Sequence, residues 1–179
     1  MLKIGFGIQT RGRASGIDAS YDSRLPMVPY AEKYNVKLAL HPNDPSLERL
    51  GDVERIMINY ENIKKAIYTI KSPMLDITMC QAIYDGEDIY RIIPEMSEKI
   101  FFVHFRNVAG NKLCFQETFH DNCEIGMKKA MEFYKKYLPP DTPIRVDRAP
   151  LMAGEQSGTS RYTALGRLFA IGYLKGLMQ

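Results

Sequence analysis

The chain lacks any apolar run approaching the ~20 residues that span a bilayer, and its opening MLKIGFGIQT is too short an apolar stretch for a secretory signal. Membrane insertion and export are therefore not expected, and the reading is cytoplasmic. Cysteine is scarce: Cys80, Cys114 and Cys123 are odd in number and form no CxxC pair, which argues against a disulfide framework or a zinc ribbon. An excess of one charge is missing too. The formal net charge is only +3, with basic and acidic residues interspersed, so nucleic acid is not the expected partner. What is present is a chain of 179 residues, 45% hydrophobic, long enough to bury the core of one domain.

Residues 1–25 begin with a short apolar run and pass into TRGRASGIDASYDSR, a loop-like composition that permits either an added edge strand or a disordered lead. From residue 26 to 179 the pattern sharpens into repeating units. Val28, Ala31 and Tyr34 have helical spacing and lead into the buried-strand run Val36–Leu40, which His41 and Pro42 end. Ile56, Ile63, Ile67 and Ile70 make a second stripe, with Asn59 placed to cap a helix entered near Tyr60. A strand from Met74 to Cys80 follows, then a short helix over Asp88–Met96 interrupted at Pro94. Ile100–Val103 is a strand of the type buried on both faces, and His104 comes next. A Gly-Asn turn and a short excursion at Leu113–Phe115 put Glu117 and His120 in a loop, before a helix through Met127, Met131 and Tyr134 within Cys123–Tyr137. Pro143–Val146 is the last strand, ending at Asp147, and Leu165, Leu168, Ile171 and Leu174 mark a closing helix.

Four β/α units in series imply an α/β fold with a parallel sheet, open or closed. A complete (β/α)8 TIM barrel takes ~250 residues, with a low bound of ~200, so about half of one is expected here. In such a sheet the carboxyl ends of the strands share one rim. His41, Cys80, His104 and Asp147 each stand at such an end, and two imidazoles, a thiolate and a carboxylate form a donor set for zinc, iron(II) or manganese(II) rather than magnesium. On the same rim, Arg106 and Asn107 can grip a carboxylate, while Glu117, His120 and Tyr162 can take part in proton transfer.

These motifs carry a family resemblance. KLALHPNDPS at 37–46 resembles the LALHPDDP block of the mannonate dehydratases, LDITMC resembles their strand ending in a metal-binding cysteine, and FVHFRNV is close to their HxRNV block. FQETFHD, IRVDRAP and YTALGRLFAIGYLKGLM resemble further blocks in the same order. The chain thus resembles the C-terminal half of that family, whose fold is a TIM barrel of the xylose isomerase-like group. The resemblance implies a lyase of hexuronate (glucuronate) catabolism that uses Mn2+ or Fe2+ to dehydrate D-mannonate to 2-keto-3-deoxy-D-gluconate. It places the metal on His41, Cys80, His104 and Asp147, catalysis on His120, Tyr162 and Glu117, without deciding acid from base, and substrate contacts on Arg106, Asn107 and Arg148. It also implies that the half-barrel is completed by a homo-oligomer or a partner chain. Arg148 departs from the family, which has histidine there, and arginine cannot act as a base at neutral pH. The alternative is a truncated, non-catalytic family remnant that binds metal or sugar acid.

Overall fold

The computed structural model describes residues 3–7, 25–84, 86–122, 125–155 and 162–179. Cys123 therefore lies outside the described residues. The main sheet has five strands: β1 (Lys3–Gly7), β2 (Lys37–His41), β5 (Leu75–Cys80), β6 (Ile100–Phe105) and β9 (Ile144–Val146), in that spatial order. Every pairing in it is parallel, with Cys80 level with His104 across the β5–β6 pair and Gly7 level with His41. Lys3–Gly7 forms an added edge strand, a fifth beside the four expected, and residues 8–24 lie outside the described residues. Two small antiparallel hairpins stand on the rim: β3 (Arg49–Leu50) with β4 (Val53–Glu54), and β7 (Val108–Asn111) with β8 (Cys114–Glu117).

Five helices accompany these strands among the described residues: α1 (Val28–Lys33), α2 (Tyr60–Thr69), α3 (Ile89–Glu95), α4 (Met127–Tyr137) and α5 (Ala164–Met178). Asn59 caps α2 as its position predicts, its side chain accepting from the Asn62 backbone N–H at 2.8 Å. Ile56 lies before that helix, because the β3–β4 hairpin occupies the preceding segment. β5 is buried at all six positions, its polar Asp76 and Thr78 included. The core joins Leu40, Ile77, Met79 and Val103 of the sheet to Ile63, Ile67, Ile92, Ile93, Met131 and Tyr134 of the helices.

Three local expectations are corrected. Glu117 is the last residue of β8 rather than a loop residue, because the Gly-Asn signal belongs to a hairpin. At its Gly110 φ is +106°, and an added Cβ would collide with the Cys114 carbonyl. The fourth helix starts at Met127 rather than Cys123. In α5 the stripe Leu165, Leu168 and Ile171 is exposed, whereas Gly166, Ala170 and Leu174 are buried. Gly166 meets the Pro150 carbonyl where a side chain would stand, so the small-residue face packs inward.

Candidate metal centre

β2 and β5 each end in a donor, and β6 carries one at its penultimate position. One ligand atom from each of His41, Cys80 and His104 can be chosen so that all lie within 4.8 Å of one another. His41 Nδ1 is 2.6 Å from the Pro42 carbonyl, an acceptor only, so that nitrogen carries the proton and Nε2 presents its lone pair to the centre. His41 Nε2 is 2.9 Å from His104 Nδ1. Nitrogens sharing a tetrahedral ion at bonds near 2.1 Å stand about 3.4 Å apart, a small separation from the observed pair. The Asp147 carboxylate lies beside this trio, 3.8 Å from His104 Nδ1, and also faces Arg145 and Arg148. The donor set and its geometry fit a divalent transition metal better than magnesium. Three of the four expected ligands thus cluster, with Asp147 next to His104.

Without an ion the cluster is neutral apart from Asp147. Burial pushes the Cys80 thiol up to about 12, so a cation entering the site must displace its proton. Burial also lowers His41, and it pushes His104 down to about 4 against the opposing pull of Asp147. A histidine with a folded pKa below its unfolded value is neutral in the fold while the unfolded chain takes up a proton. Stability from this source is present above pH ~6.5 and is lost as pH falls toward ~4. Chelator-treated protein should lose on the order of 3 kcal/mol across that window. Urea denaturation at a series of pH values checks this, and His104→Gln should flatten the profile.

A cavity of about 310 Å³ opens over the cluster, walled by His41, His104, Asp147, Arg148 and Tyr162. Tyr162 is 39% exposed and faces it from a single bridge to Ala149. The other residues singled out in the sequence lie behind this wall. Arg106 is 1% exposed; its Nε and Nη2 donate to the two Glu117 oxygens at 2.9 and 2.5 Å, and Nη1 donates to Asp44 at 2.8 Å. Arg148 meets the same acids, Asp44 at 2.9 Å and Glu117 at 3.3 Å. Two guanidiniums and two carboxylates thus close a ring of net charge zero. Burial works hardest against the charge of Arg106, but the bond to Glu117 and the neighbouring negative groups, Asp44 and Glu117 among them, together outweigh it and hold its pKa above the ordinary arginine value. Asn107 is fully buried, its side-chain oxygen accepting from Val108 N–H at 3.1 Å. His120 is likewise buried, with Nε2 2.8 Å from the Phe105 carbonyl and its ring stacked on Phe105.

Sequence reasoning missed Asp44, which bridges both arginines from the loop after β2. The signal was available, since Asp44 lies between two prolines three residues beyond His41. It also missed Arg145, which faces Asp147 at 3.3 Å, and Arg55 in the cavity wall.

Residues 25–179 match the family model described as D-mannonate dehydratase. The mannonate dehydratase of Brachyspira hyodysenteriae is 33% identical over 160 residues, covering 86% of this chain and 44% of that one. That of Thermotoga neapolitana is 32% identical over 163 residues, again with 86% and 44% covered. The crystal structure of mannonate dehydratase from Streptococcus suis serotype2 superposes with a TM-score of 0.80 at 25% identity, over 92% of this chain and 50% of that one. A D-tagatose 3-epimerase-like protein shares the fold alone, with a TM-score of 0.65 at 15% identity, covering 99% of this chain and 62% of that one. The chain spans about half the length of the curated relatives it matches, and its parallel sheet corresponds to about half of a TIM barrel of the xylose isomerase-like kind.

Proposed function

The chain belongs to the D-mannonate dehydratase family, and from that premise we propose that it supplies the metal-binding half of a hydro-lyase that converts D-mannonate to 2-keto-3-deoxy-D-gluconate in hexuronate catabolism. The observation that carries this reading is the convergence of His41, Cys80 and His104 at adjacent strand ends beneath one cavity. Mn2+ or Fe2+ held by these residues and Asp147 would supply Lewis-acid stabilisation of the charge that develops on the substrate carboxylate.

Dehydration takes the proton from the carbon beside the carboxylate and expels the neighbouring hydroxyl as water, and the resulting enol becomes the keto acid. Of the three proton-transfer groups considered, Tyr162 lines the cavity, so it is the one placed to hold or deliver a proton at the leaving oxygen. Glu117 and His120 serve this site from behind, Glu117 by fixing Arg106 and His120 through the Phe105 carbonyl next to His104. Arg148 reaches the cavity and is proposed to orient a substrate oxygen there, whereas Arg106 and Asn107 hold the wall.

The second reading, a metal- and sugar-acid-binding protein without turnover, is favoured by one observation. Arg148 stands where the resemblance places histidine, and it is engaged by Asp44 and Glu117. The two readings diverge in a single assay, the release of 2-keto acid from D-mannonate by Mn2+-loaded protein with its mass measured in solution. Sustained turnover is expected from the assembled species. Binding of D-mannonate with no product over many hours would establish the second reading instead.

A further inference from the structure

Arg55 leaves β4 into the cavity wall beside His41, His104, Asp147 and Tyr162, and it is only 8% exposed. Its place is fixed by the backbone. Arg55 N–H donates to the Glu48 carbonyl at 2.8 Å and its Nη1 to the Pro45 carbonyl at 2.7 Å. Asn43 and Met57 close the same loop with two hydrogen bonds, of 2.7 and 2.9 Å. The guanidinium itself is not neutralised. Its Nε has no partner, and among the described residues no carboxylate pairs with it.

The contrast with its neighbours is what gives this weight. Arg106 and Arg148 share Asp44 and Glu117, and Arg145 faces Asp147. Asp44, the acid next to the Pro45 anchor, is therefore turned away to two other arginines. A guanidinium cannot release its proton to escape burial, and a desolvated cation without a counter-charge is costly. A neutral polyol would leave that charge uncompensated, whereas a carboxylate supplies the counter-charge.

We infer that Arg55 binds the carboxylate of the ligand that occupies the metal cavity. The inference rests on the sugar-acid reading above and assigns the anion contact to a residue outside the motifs that point to that reading.

The test is isothermal titration calorimetry on wild type, Arg55→Met and Arg55→Lys, each chelator-treated and Mn2+-loaded, with D-mannonate, the neutral D-mannitol, D-gluconate and inorganic phosphate as probes. D-mannonate binding should weaken about ten- to hundredfold in Arg55→Met and recover in part in Arg55→Lys, while D-mannitol binding and the Mn2+ affinity stay as in wild type. Arg55→Lys keeps the charge at the site, so it carries the test should the methionine variant fail to fold. Equal D-mannonate affinity in wild type and both variants overturns the inference. Arg55-dependent binding of phosphate, with D-mannonate unaffected and unable to compete, also overturns it and assigns the residue to a free inorganic anion. Arg55-dependent binding of D-gluconate without any of D-mannonate would sink the proposed substrate and leave the role of Arg55 standing. If no carboxylate binds wild type, both fall.

Discussion

Replacing Arg106 by methionine is expected to lower the free energy of unfolding by about 3–5 kcal/mol, among the largest single-residue losses this fold offers. The residue is 1% exposed and donates three hydrogen bonds to two carboxylates that are themselves nearly buried. Removing it leaves Asp44 and Glu117 facing Arg148 alone, so two negative charges share one cation with little access to water. The cost arises from stranding those acids rather than from the strength of the pair itself, which is why the direction is firm even though buried ion pairs are weak contributors to net stability. Arg106→Lys should lose less, since it keeps the charge but cannot reproduce the two-point bond to Glu117. Urea denaturation of chelator-treated protein reads both variants. A loss under about 1 kcal/mol for Arg106→Met would mean that the acids are reached by water or take up protons when the arginine is gone.

The second large effect concerns the metal. Cys80→Ala should weaken divalent-metal affinity by at least about a hundredfold, since mutating partners one step removed from a metal already costs about ten- to a hundredfold. Cys80 is fully buried on a strand buried at all six positions, so no other side chain can move in as a replacement. The alanine variant should nevertheless fold, because the thiol is neutral without an ion and its loss removes little packing volume. Metal competition against a chromophoric chelator separates the two properties: the circular dichroism spectrum is retained while the affinity falls.

How much of this was legible in the sequence depended on whether a residue's role is local. Strand ends were readable because a continuous apolar run such as Ile100–Val103 stops at a polar residue, and the donors of the site stand at those stops. The cap at Asn59 was readable for the same reason, since capping is decided within four residues. Pairings across the chain were not. Asp44 and Arg106 are 62 residues apart, and no feature of either segment says that one neutralises the other. Arg106 therefore read as a group available to substrate, although the fold engages it with Glu117 and Asp44. Arg55 was hidden in the opposite way. It looks like an ordinary surface arginine in VERIM, and what sets it apart, the lack of a paired carboxylate among the described residues, is visible only in the three-dimensional arrangement. The exposed stripe of α5 shows a further limit, for helical periodicity locates an apolar face without saying which face the core takes.

The most direct test of the metal centre is titration of the wild-type chain with cobalt(II), watched by absorbance. One equivalent should bind with a near-ultraviolet thiolate-to-cobalt charge-transfer band, absent from Cys80→Ala, and manganese(II) should displace it. Saturating cobalt without that band, or an identical band in the alanine variant, would contradict a centre built from His41, Cys80, His104 and Asp147.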